Sequence, residues 1–172
     1  MTIILIGYMG SGKSTIGQEL SKILKFDYLD LDVYIQNRQG SSISKLFETK
    51  GEIYFRKIES EYLKEVLLLE NTVISLGGGT PCYGTNMDAI KFSPETKSIY
   101  LKASIPCLVD RLFDKRSKRP LIAHLTNKNE LTEFIGKHLF ERSNFYTQSD
   151  FTVSVDQKTV NKNNEDSVFK VF

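Results

Sequence analysis

The 172-residue chain has no tryptophan, only four prolines, two histidines and two cysteines. Cys82 and Cys107 lack the spacing of a zinc site and are too few for a disulfide framework, so they read as reduced thiols in a cytoplasmic protein. No stretch approaches the run of ~20 apolar residues that crosses a bilayer. The chain opens directly in an apolar strand, and no signal peptide is expected. An excess of one charge is also missing: 23 Lys and Arg against 21 Asp and Glu leave a net +2, too small to argue for nucleic acid or a membrane surface. Repeats and low-complexity tracts are absent. What remains, 40% hydrophobic and 26% charged, fits one globular domain of residues 1–172, long enough to bury a core.

Apolar stretches at Ile3–Gly7, Phe26–Asp30, Val73–Leu76, Ser98–Leu101 and Phe151–Val155 read as strands. Between them, three- and four-residue spacing predicts helices. They cover Lys13–Leu24 (apolar face Ile16, Leu20, Ile23, Leu24), Val33–Arg38, a short helix capped by Ser42 or Ser44, about Glu52–Glu70, Thr85–Lys91, about Ile105–Phe113 and Leu131–Tyr146. In the long helix after Gly51 the apolar stripe is Phe55, Ile58, Tyr62, Val66 and Leu69. Asn161–Asp166 reads as a polar loop before a short terminal segment, Val168–Phe172. Strands alternating with helices imply a three-layer α/β/α domain around a five-stranded parallel sheet, with its site at the carboxyl ends of the strands.

The most informative stretch is Gly7-Tyr8-Met9-Gly10-Ser11-Gly12-Lys13-Ser14-Thr15, placed between a strand and a helix. In a Gly-x4-Gly-Lys-Ser loop the backbone N–H groups converge on a phosphate chain and the helix N-terminus adds positive potential. Gly10 to Thr15 would cradle a nucleoside triphosphate, Lys13 would reach its outer phosphates, and the Ser14 hydroxyl would ligate Mg²⁺. A glycine-rich turn capping a helix does not account for Lys13-Ser14-Thr15.

Other groups divide between functional and ordinary readings. Asp30 and Asp32 follow the second strand, where one carboxylate suits Mg²⁺ through water and the other an acceptor hydroxyl; alternatively Asp32 caps the next helix. Gly77-Gly78-Gly79 allows a ligand close to the backbone, or makes a tight turn. Arg56 and Arg142 suit a carboxylate or phosphate, although for either alone a solvated helix face is the commoner explanation. In Asp114–Pro120 four of seven residues are basic, which fits a lid closing over the triphosphate or a solvated loop. His124 and His138 carry no assigned role.

In combination these motifs resemble the shikimate kinase family, P-loop enzymes related to nucleoside-monophosphate kinases. The resemblance runs from Ile3 to about Asp156. It rests on the phosphate loop, Leu29-Asp30-Leu31-Asp32, Ser42-Ile43 through Phe47, Gly51-Glu52 with Phe55-Arg56, Gly77–Gly79, Arg119-Pro120-Leu121, and Arg142 with Tyr146. It implies transfer of the ATP γ-phosphoryl group to the 3-hydroxyl of shikimate, in aromatic amino-acid biosynthesis. Lys13, Asp32 and Arg119 would be catalytic, with Asp32 holding the shikimate hydroxyls and Arg119 steadying the transferring phosphate from the lid. Arg56 and Arg142 would clamp the shikimate carboxylate, Gly78 would add a backbone contact, Arg111 would lie against the adenine, and Asp30 would support Mg²⁺ beside Ser14. The substrate-binding segment would span about 32–62 and the lid about 113–124, in a cytoplasmic monomer whose partners are ATP and shikimate. Lys57 stands where a second Arg is common, and Gln157–Asp166 lacks the Arg-x-Pro-like element that often flanks the adenine. The competing readings are another small-molecule kinase, such as a gluconate or nucleoside-monophosphate kinase, and a non-catalytic nucleotide-binding module.

Overall fold

The computed structural model describes residues 1–156, except for the side chain of Lys118. The expectations for Gln157–Asp166 and Val168–Phe172 lie outside the described residues. Five parallel strands, β1 (Thr2–Ile6), β2 (Asp27–Asp30), β3 (Thr72–Ser75), β4 (Thr96–Lys102) and β5 (Phe151–Ser154), pair in the order β2-β3-β1-β4-β5. Ile3, Ile4, Leu5 and Ile6 are all 0% exposed, which puts β1 at the centre. Burial of each side chain is worth roughly 1.5–3 kcal/mol over leaving it in water. The chain leaves β1 toward β2 and β3 on one side, and places β4 and β5 on the other. Connections to opposite sides open a crevice at the carboxyl end of β1.

The helices are α1 (Lys13–Leu24), α2 (Leu31–Gln39), α3 (Ile43–Val66), α4 (Asn86–Lys91), α5 (Ile105–Leu112) and α6 (Lys128–Tyr146), and they complete the expected three-layer α/β/α architecture. α3 is broken at Gly51 (φ 81°, ψ 169°), so the expected short helix and its longer successor meet at a kink. Ser42 caps it, accepting from Lys45 N. Phe55, Ile58 and Val66 are buried as expected, but the helix ends at Val66 and Leu69 is 40% exposed. Ile23 is likewise 53% exposed: α1 meets the sheet through Gly17, Leu20 and Ser21, and Ile23 falls beside that narrow contact. α6 starts three residues earlier than its apolar pattern. Asn127 accepts from Glu130 N while the Glu130 carboxylate accepts from Thr126 N, a reciprocal cap built in a polar stretch. No helix among the described residues is long and apolar enough to cross a membrane.

Candidate active site

The phosphate loop leaves β1 at Gly7 and enters α1 through Gly12, whose left-handed backbone (φ 98°, ψ 11°) suits glycine. Among the described residues no side chain caps α1, and its N-terminal amides and the positive end of its dipole face the crevice. Lys13 folds back over the loop: Nζ donates to Gly7 O at 2.7 Å and to Tyr8 O at 2.9 Å. Burial pushes its ammonium down to about 8, against the attraction of Asp32 and Asp30 and with the repulsion of Arg119. Ser14 Oγ donates to Asp30 Oδ2 at 3.3 Å. The Ser11 hydroxyl is buried and, among the described residues, has no hydrogen-bond partner. Arg111, on α5, donates to Gly10 O (3.2 Å), Ser11 O (3.4 Å) and Val155 O, bracing the loop against the chain beyond β5. Beside this brace opens a cleft of about 580 Å³, lined by Ser104, Cys107, Asp110, Arg111 and Asp156 among others.

Across the crevice, the alternative reading of Asp32 as a helix cap does not hold. Asp30 caps α2, its Oδ1 accepting from Asp32 N (3.0 Å) and Val33 N (3.3 Å), because it is the last extended residue before the helix. One Asp30 oxygen thus caps and the other faces Ser14, which releases the Asp32 carboxylate toward Lys13. Burial, then the neighbouring carboxylates of Asp30 and Glu59, push Asp32 up to about 6, despite Lys13 and Arg56. The triple glycine owes its composition to close approach. A Cβ on Gly77 would stand 2.9 Å from Asp32 Oδ1, and one on Gly79 3.1 Å from Arg56 Nη1. One on Gly78 would meet nothing closer than 3.5 Å.

The two expected arginines reach this crevice from different helices, and the charges of both are felt at Cys82. Arg56 lies 3.8 Å over the Tyr83 ring and donates to Glu59 Oε2 (2.8 Å) and Glu52 Oε1 (3.4 Å). Arg142 stands 5.7 Å over the Tyr8 ring, one turn before Tyr146, whose hydroxyl donates to Gly78 O. Sequence reasoning passed over Glu59, which is 1% exposed and also accepts from Thr80 Oγ1 at 2.6 Å. Its signal was the three-residue spacing from Arg56, which puts both on one helix face. Tyr83, whose hydroxyl donates to Glu52, was missed as well.

The basic segment after α5 forms a 3₁₀ turn at Phe113–Lys118. Arg116 fastens it, donating to Phe113 O (2.8 Å) and Leu125 O (3.0 Å), and Ile122 is 0% exposed. This anchorage leaves Arg119 within electrostatic reach of Lys13. Among the described residues no group of three or more His, Cys, Asp or Glu forms a metal cage. Ser14 and Asp30 offer instead the hard oxygens that suit Mg²⁺, which ordinarily takes one or two carboxylates together with a substrate's phosphates.

Known proteins are similar to this chain over most of its length. A "Shikimate kinase" from Flavobacterium johnsoniae is 50% identical over 165 residues, covering 95% of each chain. The crystal structure of shikimate kinase from Bacteroides thetaiotaomicron superposes with a TM-score of 0.91 at 35% identity, covering 99% of this chain and 96% of that one. The Acinetobacter baumannii enzyme in complex with shikimate matches with a TM-score of 0.81 at 27% identity, over 99% and 89% of the chains. A gluconokinase from Sinorhizobium meliloti, at 14% identity and a TM-score of 0.55, shares the fold alone. The sequence model of the family described as "Shikimate kinase" matches residues 9–171, and the chain belongs to the shikimate kinase family.

Proposed function

We propose that this protein transfers the γ-phosphoryl group of ATP to the 3-hydroxyl of shikimate, giving shikimate 3-phosphate and ADP for aromatic amino-acid biosynthesis. One observation carries the reading: the loop lysine, Lys13, and the raised carboxyl of Asp32 face each other in one crevice, with Arg56 and Arg142 reaching it from separate helices. Such a site suits a small anionic triol beside a triphosphate.

Transfer of a phosphoryl group asks a protein chiefly to position the reactants and balance charge. The amides of Gly10 to Thr15 cradle the phosphates. Lys13 exchanges its two backbone carbonyls for the outer phosphates, and Arg119 adds a second cation from the lid. Arg56 and Arg142 grip the shikimate carboxylate as two planar forks, while Glu59 keeps Arg56 in place. Gly78, beside the phosphate loop at Gly7 and Met9, offers the ring a backbone contact. Asp32 orients the acceptor hydroxyl and takes its proton; a carboxyl near 6 is mostly ionised at neutral pH yet remains a useful base. Ser14, and Asp30 through water, would hold Mg²⁺, whose chemistry is to neutralise phosphate charge. The adenine occupies the cleft beside Arg111. Residues 32–62 form the acceptor-binding segment and 113–124 the lid, in a cytoplasmic monomer whose partners are these two small molecules.

A coupled ADP-release assay with Mg²⁺, comparing shikimate, gluconate and AMP as acceptors, tests the proposal. Turnover with shikimate that stops on chelation of Mg²⁺ is expected. Turnover on gluconate or AMP alone would overturn it.

A further inference from the structure

His138, Arg142 and Tyr146 recur every four residues along α6 and so share one face of the helix. The outer two are each hydrogen-bonded to a different wall of the crevice. Tyr146 reaches the glycine loop at Gly78 O. His138 Nδ1 shares a hydrogen bond of 3.1 Å with the hydroxyl of Tyr8, the second residue of the phosphate loop. Tyr8 is 2% exposed, and its ring forms the surface over which Arg142 lies at 5.7 Å. Its own carbonyl accepts from Lys13. One residue thus touches the lysine through its backbone, Arg142 through its ring face and α6 through its hydroxyl. His138 is backed by Phe134, with ring centroids 4.2 Å apart, and Phe134 is edged by His124 at 6.4 Å, where the lid segment ends.

We propose that Tyr8 and His138 are positioning residues for the acceptor: their hydrogen bond fixes α6 against the phosphate loop and so sets where the Arg142 guanidinium stands. The inference rests on the reading of Arg142 as a carboxylate clamp. A helix can pivot about one contact; two contacts bracketing Arg142 remove that freedom. The Tyr8 contact supplies the register toward the phosphates, and Tyr146 supplies it toward the glycine loop. The protonation states suit the bond. Burial, with Arg142 opposing it, pushes the Tyr8 phenol up to about 12, so it keeps its proton to donate. Burial and the charge of Arg142 push His138 down, so its ring is neutral at pH 7 and offers one nitrogen as acceptor.

Tyr8→Phe keeps the ring under Arg142 and removes only the hydroxyl; His138→Phe keeps the ring against Phe134 and removes the acceptor. A single net hydrogen bond makes the expected rise in shikimate KM about threefold to tenfold for either variant. The KM for ATP should change little, the Tm should fall by only about 2–4 °C, and the double variant should be no worse than the single ones. Tyr8→Phe is also made in an Arg142→Ala background, where it should add nothing to shikimate KM. A loss that persists in that background, or one that falls equally on ATP, overturns the inference and marks the pair as structural. If Arg142→Ala raises shikimate KM but neither Tyr8→Phe nor His138→Phe does, the clamp stands and the inference fails. An Arg142→Ala protein with unchanged shikimate KM overturns the clamp and the inference with it.

Discussion

Replacing Asp32 by Asn should make the resting protein more stable while removing its activity. The Asp32 carboxyl is raised from 3.8 to about 6, first by burial and then by Asp30 and Glu59. Because the folded protein holds that proton more tightly than the unfolded chain does, the resulting stabilisation is complete below the ordinary value of 3.8 and is lost as the pH climbs through about 6. Above that, ionised Asp32 burdens the fold by roughly two pKa steps, about 3 kcal/mol at most, and partial solvent access reduces this to about 1–2 kcal/mol. Asp32→Asn keeps the shape and carries no charge at any pH. For a domain of this size the gain corresponds to a Tm about 2–8 °C higher at pH 8, and little or none at pH 4. Thermal unfolding of both proteins at the two pH values, with chelator present and no substrate, measures it, and the coupled assay follows activity. The reasoning is refuted if the variant is no more stable than the wild type at pH 8, or if the gap between them does not widen from pH 4 to pH 8.

Two further outcomes concern the acceptor clamp and the lid. Arg56→Ala should weaken shikimate binding by about 2–5 kcal/mol, much of it from the stranded partner charge, with ATP binding little changed; titration calorimetry with each ligand decides it, and equal losses would contradict the clamp. Residues 113–124 should lose protease sensitivity when ATP and shikimate are bound together, and an unchanged cleavage pattern would speak against a closing lid.

The phosphate loop was readable from the chain because its work is done by consecutive backbone amides, which constrains neighbouring residues directly. The sheet was readable for a similar reason: strands buried on both faces are continuous apolar runs, as at Ile3–Ile6. The acceptor side was less legible. Asp30 and Asp32 are chemically identical on paper, and only the end of β2 decides that the first caps α2 and the second faces Lys13. Glu59 reads as one more charged helix residue until α3 packs it against Thr80 and Arg56. Ile23 and Leu69 follow the helical period yet lie exposed, because periodicity gives the direction of a face and not the breadth of what covers it. The isolated histidines looked idle, since the partner of His138 lies 130 residues away in the chain.

Lys13 at rest holds two neutral carbonyl oxygens of its own loop, at 2.7 and 2.9 Å. An incoming molecule therefore competes with contacts the ammonium already has. Water or a sugar hydroxyl offers the same kind of dipole and gains almost nothing by the exchange. A ligand with formal negative charge gains the full ionic attraction, in a place where burial makes the cation poorly solvated. The loop acts as a charge filter before it acts as a grip: the lysine's resting bonds set a threshold that neutral hydroxyl groups do not cross, which keeps uncharged polyols out of the phosphate seat.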